Sequence, residues 1–123
     1  MNKSMDPVTF EVLWSRLISI VNEQAAALMH ASFTTVVREA GDLSAGVFDA
    51  QGNMLAQAVT GTPGHINTMA TCVRHFVKKH PLETLEQGDS LLTNDPWLGS
   101  GHLHDITVVT PAFKDGKGVG WFA

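Results

Sequence analysis

The 123-residue chain contains one cysteine, Cys72, and no tyrosine. A single cysteine cannot form an internal disulfide, and it cannot supply the several thiolates of a cysteine-rich zinc site. Any metal that this chain binds must therefore be held by histidine, aspartate or glutamate side chains. No motif around Cys72 resembles the setting of a nucleophile, so we predict a small core residue at this position.

Long apolar runs and basic clusters are also missing. No stretch reaches the length needed to cross a bilayer, and residues 1–7 lack the apolar run and cleavage site of a secretory signal. We therefore expect a cytoplasmic protein with no membrane partner. The net charge is −4 and the lysines and arginines are scattered, which argues against nucleic acid as a partner because no basic stripe is available for a phosphate backbone. Neither glycine-rich phosphate-binding motif occurs, so ATP, if used, belongs to a partner.

The hydrophobic pattern predicts one α+β domain. With 44% hydrophobic and 16% charged residues, the chain is long enough for one buried core and too short for two full domains. Asp6 and Pro7 are typical of a helix start, and apolar residues recur at helical spacing until residues 29–33. A second helix is predicted from residue 67 or 68 to residue 79, where Pro81 stops it.

Short strands are predicted between and after these helices, at residues 43–48, 54–59, 90–94, 106–113 and from 119 onward. The first two flank a Gly- and Asn-containing turn and should form a β-hairpin, and the last two should pair around the turn at 115–118. Residues 60–64 are predicted to break regular structure. The sequence stops within an apolar strand pattern, which indicates an incomplete segment or a sheet completed elsewhere, because an apolar edge strand invites further pairing.

The densest polar group is the run His102-Leu103-His104-Asp105, between the irregular segment 94–101 and an apolar strand. Such junctions suit ligands because the strand fixes the side chains and the loop leaves room for substrate. If the strand already begins at His102, then His102 and His104 share one side and Asp105 lies opposite. If the backbone is still irregular, His102 and Asp105 can converge. Imidazole and carboxylate without thiolate suit zinc, manganese or ferrous iron, although surface or capping roles are more common for such a short pattern.

Three other polar residues allow two interpretations each. Asp42, after Gly41, is either a turn carboxylate or a functional one. His65 is either an ordinary residue at a helix start or a ligand or substrate partner held there. Asp95 either forms a plain turn or orients the segment that carries His102. Of the remaining histidines, His30 is predicted near the end of the first helix, and His75 and His80 are predicted on a solvated helix face.

Several motifs, in their order along the chain, resemble the hydantoinase B/oxoprolinase family. They are Asp6-Pro7-Val8-Thr9-Phe10-Glu11-Val12, Asp42-Leu43-Ser44 with Val47-Phe48-Asp49, Gly52-Asn53 with Ala56-Gln57, and Asn94-Asp95-Pro96-Trp97 leading to Gly101-His102-Leu103-His104-Asp105-Ile106. The resemblance extends from residue 6 to residue 123, and the combination is far more specific than any single motif. His104 departs from the family pattern, which has proline at this position.

The resemblance implies a protein that binds a divalent metal (zinc, manganese or iron) and works with a hydantoinase A-like ATPase subunit, which handles ATP and magnesium. It implies ATP-coupled hydrolysis of cyclic amides such as hydantoins, 5-oxoproline or lactams, or carboxylation of ketones such as acetone. By the same resemblance, His102 is a metal ligand, and Asp42 and Asp105 lie at the metal as ligands or as the catalytic carboxylates. His65, Asp95 and His104 are expected to contact the substrate or to support the ligands from behind.

The family also sets an expectation about length. Its members run to several hundred residues, so we expect residues 1–123 to be an incomplete N-terminal segment that is inactive alone. Two alternatives stay open: a non-catalytic scaffold or assembly domain without metal, and a stand-alone metal-binding protein. The sequence does not choose between hydrolase and carboxylase.

Overall fold

A computed structural model of the chain describes residues 5–59 and 63–123. The helices are α1 (Pro7–Ala31), α2 (Thr35–Arg38) and α3 (Pro63–Lys79), followed by a 3₁₀ turn at Leu82–Thr84. The strands are β1 (Gly46–Asp49), β2 (Met54–Gln57), β3 (Leu91–Thr93), β4 (Thr107–Lys114) and β5 (Lys117–Phe122). The predicted α+β class is confirmed. Within these residues no helix combines the length and the apolar character that crossing a membrane requires.

The five strands form one antiparallel sheet in the order β2-β1-β5-β4-β3. β5 lies inside this sheet, because Phe122 is opposite Val47 of β1 on one side and opposite Thr110 of β4 on the other. The expectation of an apolar edge strand at residues 119–123 is therefore wrong. Both predicted hairpins are present, and the edges of the described sheet are β2 and β3.

The N-terminus of α1 forms as its sequence predicts. Asp6 accepts hydrogen bonds through Oδ2 from the backbone N–H of Thr9 at 3.1 Å and from its hydroxyl at 3.2 Å, which satisfies a donor that the first turn leaves unpaired. The helix ends at Ala31, within the predicted interval. Only Val21 and Ala25 of α1 are buried, so the C-terminal half of this helix is the part that packs on the sheet.

The two long helices cover opposite faces of the sheet, because successive strand residues point to opposite sides. Val47 of β1 packs with α1, and Phe48, the next residue, packs with α3. The α1 side contains Val21, Ala25, Leu43, Ala45, Val47, Ala56 and Ala58. The α3 side contains Phe48, Met69, Val73, Leu82, Val109 and Trp121. Trp121 is fully buried and its indole N–H donates to the carbonyl of Ala50 at 3.3 Å.

Two differences from the predicted elements bear on the site. α3 begins at Pro63 rather than at residue 67 or 68, which places His65 in its first turn. The predicted break at 60–64 therefore lies partly outside the described residues, and its last two residues are helical. The four-residue helix α2 was not predicted. It is capped by the Thr34 hydroxyl, which accepts from the backbone N–H of Val37 at 3.3 Å, and it leads directly to Asp42.

Candidate metal centre

The segment between β3 and β4 is a loop organised by Asp95. Its backbone N–H donates to the Thr93 hydroxyl at 3.0 Å, and its carboxylate accepts from the backbone N–H of Trp97 at 2.9 Å. Its carbonyl accepts from the N–H groups of Leu98 and Gly99. These contacts belong to a turn, and Asp95 is not among the clustered ligand atoms described below.

Asn94 links the two ends of this loop by a hydrogen bond. Its side-chain amide donates to the carbonyl of Leu103 at 3.4 Å, across the loop from the end of β3. The Ser100 hydroxyl makes a second link inside the loop, donating to the carbonyl of His102 at 3.4 Å. Both hydrogen bonds end on backbone carbonyls of residues 102 and 103, so they hold the segment that carries the imidazoles.

The backbone is still irregular at residues 102–105, and β4 begins only at Thr107. His102 and Asp105 converge for this reason: Nε2 of His102 lies 3.2 Å from Oδ2 of Asp105. His104 does not join them. Its ring centre is 5.6 Å from that of His102, and its backbone N–H donates to Nδ1 of His102 at 3.3 Å. Of the two arrangements that the sequence left open, the irregular one is present.

The first turn of α3 brings a third group to the same point. Nε2 of His65 lies 3.2 Å from Oδ2 of Asp105. One ligand atom from each of His65, His102 and Asp105 lies within 4.8 Å of the other two. Two imidazoles and a carboxylate at this spacing are a set that borderline divalent cations accept. A helix start and a loop distant in sequence thus form one cluster, which we call the His65/His102/Asp105 cluster.

The buried oxygen of Asp105 tests whether this cluster fits a cation. Oδ2 is shielded from solvent and accepts no hydrogen bond among the described residues, although a ring nitrogen lies 3.2 Å away on each of two sides. The two close contacts thus lack the alignment of a hydrogen bond. A buried acceptor left this way is costly. A cation between the oxygen and the two nitrogens would satisfy all three atoms, so the residues present fit a divalent metal.

Asp42 lies behind His65. Its Oδ1 is 3.8 Å from Nδ1 of His65, the ring nitrogen that does not face Asp105. This distance exceeds a hydrogen bond, so the interaction is one of charge and dipole. The family resemblance implied that Asp42 lies at the metal as a ligand or as a catalytic carboxylate, whereas the structure places it beside the outer nitrogen of a candidate ligand. Carboxylates in this position orient metal-binding imidazoles and make them better donors.

The cluster is partly exposed to solvent. The side chains of His65 and Asp105 are 25% and 30% exposed, and that of His102 is 49% exposed. A site with three protein ligands and solvent access leaves coordination positions for water or substrate, as catalytic sites do and closed structural sites do not. The arrangement is therefore suited to chemistry on a bound small molecule.

Cys72 lies apart from this cluster, fully buried in α3 as predicted. Burial raises the pKa of its thiol, the negative charge of Asp95 raises it further, and a hydrogen bond with the Thr107 side chain partly opposes both. A thiol in this environment stays protonated at neutral pH. It belongs to the core and not to the functional site.

Known proteins are similar in sequence to this chain over nearly its whole length. The model of the hydantoinase B/oxoprolinase family matches residues 6–123. The 5-oxoprolinase of Saccharomyces cerevisiae is 37% identical over 110 residues, which are 89% of this chain and 8% of that protein. A putative D-/L-hydantoinase component of a Pseudomonas species is 26% identical over 122 residues, which are 97% of this chain and 20% of that protein.

A solved structure of nucleotide-free acetone carboxylase has the same fold, with a TM-score of 0.80 and 24% sequence identity over 95% of this chain and 16% of that chain. The chain thus spans about a fifth or less of the length of each of these three proteins. The family match covers residues 6–123, the same range over which the sequence motifs suggested the resemblance. The chain belongs to the hydantoinase B/oxoprolinase family.

Proposed function

We propose that this chain supplies a divalent-metal site to an ATP-coupled enzyme that opens cyclic amides such as 5-oxoproline or a hydantoin. The observation that supports the proposal is the His65/His102/Asp105 cluster with its buried carboxylate oxygen, which accepts no hydrogen bond. The choice of substrate class rests on relatives named 5-oxoprolinase, which are 37% identical to this chain in yeast and in Arabidopsis thaliana.

In this proposal Nε2 of His65, Nε2 of His102 and Oδ2 of Asp105 would hold the metal. When bound, the cation would supply a Lewis acid able to polarise an amide carbonyl and to lower the pKa of a water molecule toward neutrality. Asp42 holds the His65 ring by its attraction to Nδ1. Asp105 would orient the attacking water or accept its proton, whereas Asp42, beside the ring nitrogen of His65 that faces away from Asp105, would act on that ring alone. Asp95 and Asn94 would fix the loop so that His102 and Asp105 stay together.

Binding also has a consequence for His104. Nδ1 of His102 accepts the backbone N–H of His104 in this structure, and a neutral imidazole that binds metal through Nε2 carries its proton on Nδ1. We therefore expect the 3.3 Å contact to break on metal binding and the backbone at residue 104 to shift. Amide hydrogen exchange at His104 would report this shift.

We propose that a partner protein binds and hydrolyses the ATP. The sequence has neither a G-x-G-x-x-G nor a P-loop motif, so we assign ATP and magnesium to a hydantoinase A-like ATPase subunit. Activation of the amide oxygen by ATP would then take place at the boundary of the two proteins, where the exposed part of the metal cluster would admit the substrate.

The first experiment tests metal binding by the chain itself. Metal-free protein is dialysed against zinc or manganese and its metal content is measured by elemental analysis, for the wild type and for His65→Ala, His102→Ala and Asp105→Asn. We expect about one ion per wild-type chain and a loss of affinity of at least about tenfold in each variant. His75→Ala, a histidine on α3 outside the cluster, is the matched control. Equal metal content in all proteins would instead support a scaffold without metal.

The second experiment tests the reaction in the assembled enzyme, with the rest of the polypeptide and the ATPase subunit present. We expect 5-oxoproline or a hydantoin to stimulate ADP release with ring opening, and His102→Ala to abolish both. Acetone with bicarbonate serves as the competing substrate, because acetone carboxylase shares this fold. If acetone with bicarbonate stimulates ADP release and neither cyclic amide does, the proposed hydrolase activity is wrong and the enzyme is a ketone carboxylase.

A further inference from the structure

A groove lies between the C-terminal half of α3 and β3, and none of its described lining residues belongs to the His65/His102/Asp105 cluster. It has a volume of about 650 Å³. Its apolar lining comes from Cys72 and Phe76 of α3, Leu91 and Leu92 of β3 and Leu98 of the following loop. We call it the α3–β3 groove. Its volume is that of a binding site, and the proposed metal chemistry makes no use of it.

One wall of the groove is the open edge of the sheet. β3 pairs with β4 through Leu91, Leu92 and Thr93, and within residues 5–59 and 63–123 no strand pairs with its other side. An open edge presents backbone N–H and C=O groups that a further strand can use. The groove therefore runs beside a row of backbone donors and acceptors.

The rim of the groove is basic. Lys78 and Lys79 line it together with His75 and His80, and none of its described lining residues is acidic. The chain as a whole carries a net charge of −4, so this is a local reversal of sign. An occupant with carboxylates facing α3 would be complementary to it.

Because side chains alternate along a strand, the side chain of Leu92 points to the sheet face opposite that of Leu91, where it is exposed, while the residue also borders the groove. Leu92 lies opposite Val108 in the register of β3 and β4, and their exposed fractions are 61% and 43%. α1 covers the sheet at β1 and β2, at the other end of this face. A strand added at β3 would place alternate side chains beside Leu92, so its residues on this side should be apolar.

These three features select one kind of occupant. We propose that the edge of β3 and the α3–β3 groove bind an extended polypeptide strand in which acidic and apolar residues alternate. Its backbone pairs with β3, its carboxylates face Lys78 and Lys79, and its apolar side chains cover Leu92 and Val108. A free small anion would use the basic rim and leave both the open edge and the Leu92–Val108 pair uncovered. The described lining of the groove shares no residue with the His65/His102/Asp105 cluster.

The test uses the full chain and a synthetic peptide of about ten residues, the length of a long strand, with alternating glutamate and valine. Binding is followed by the fluorescence anisotropy of a dye on the peptide. Hydrogen exchange of the β3 amides is measured in parallel. We expect saturable binding and slower exchange at β3. A peptide with lysine in place of glutamate should bind at least about tenfold more weakly, because it is repelled by the basic rim.

Two controls separate strand pairing from simple charge attraction. The first is the same acidic peptide with N-methylated backbone amides, which keeps the charge and removes the donors for pairing. We expect it to bind at least about tenfold more weakly. The second compares Lys78→Gln/Lys79→Gln with Lys114→Gln/Lys117→Gln, which makes the same charge change on the β4–β5 hairpin. Only the first pair should weaken binding.

Three results would overturn the proposal. They are no saturable binding of the acidic peptide, equal binding of its N-methylated form, and equal weakening by both lysine pairs. Circular dichroism and thermal unfolding of each variant would show that a loss of binding is not a loss of fold. None of these results would affect the metal-binding experiment.

Discussion

Replacing Asp42 by asparagine tests whether this residue acts through His65 or binds the metal itself. The change removes one negative charge and keeps the size of the side chain. Asp42 lies 3.8 Å from Nδ1 of His65 and its side chain is 43% exposed. At about 4 Å a pair of unit charges interacts by about 1 kcal/mol in water and by about 4 kcal/mol near a protein surface. Because the Asp42 side chain is 43% exposed and its charge is screened by solvent, we take about 1–1.5 kcal/mol.

This energy corresponds to a loss of metal affinity of about tenfold. Asp105→Asn removes a charged ligand atom at the centre of the cluster, so its loss should exceed about a hundredfold. The assay is competition between the chain and a chelating dye for zinc. Asp115→Asn is the matched control, since Asp115 lies in a distant turn with φ 50°, a conformation that asparagine tolerates.

Two outcomes would refute this role of Asp42. If Asp42→Asn lowers the affinity as much as Asp105→Asn does, Asp42 is a direct ligand, one of the two roles that the family resemblance implied. If Asp42→Asn has no effect while the apo protein keeps its unfolding midpoint, Asp42 does not act on His65 at all.

Three further predictions concern the framework. In Gly120→Ala the new Cβ would lie 2.5 Å from the backbone oxygen of Phe48, so we expect thermal unfolding to show a loss of at least about 2 kcal/mol of stability. In the control Gly64→Ala the new Cβ meets nothing within 4 Å, so stability should not fall; equal unfolding midpoints of the two variants would contradict this. Burial raises the pKa of Asp49, but hydrogen bonds from Asn53 and from the backbone of Gln51 and Gly52 lower it overall. Asp49→Ala should therefore lower the free energy of unfolding by about 1 kcal/mol at neutral pH, after allowance for solvent screening. The difference in stability between wild type and variant should vanish as the pH falls below 3.8, the ordinary pKa of the group, and through its lower pKa in the folded chain. A difference that persists in acid would show that the charged carboxylate is not its cause. Cys72, buried and with a raised thiol pKa, should react with iodoacetamide at least about a hundredfold more slowly in the folded chain than in denaturant; equal rates would show that the α3 core is open.

Local signals account for the elements that were predicted. Asp6 and Pro7 mark the start of α1, and the turns at 49–53 and 115–118 mark the two hairpins, because capping and turn residues act over a few positions. The position of β5 between β1 and β4 is different. It depends on pairing with distant strands, which a local apolar pattern does not encode.

The site follows the same division. The sequence shows residues 102–105 as a polar group at the end of a loop. The close approach of His102 and Asp105 depends on β4 beginning only at Thr107, and the sequence pattern did not decide where this strand begins. The addition of His65 depends on the start of α3 at Pro63 and on how this helix lies against the loop. Pro63 was a sequence signal for this helix start, because proline is favoured at the first position of a helix. Asn67 and Thr68 gave a competing signal, because they are also typical capping residues.

The position of a bound ion is the most direct test of the proposed metal site. Crystals of the chain grown with zinc would be measured at the zinc absorption edge to locate the ion by its anomalous scattering. The proposal predicts one peak about 2.0–2.2 Å from Nε2 of His65, Nε2 of His102 and Oδ2 of Asp105. A peak elsewhere, or no peak at these three atoms at saturating zinc, would contradict it.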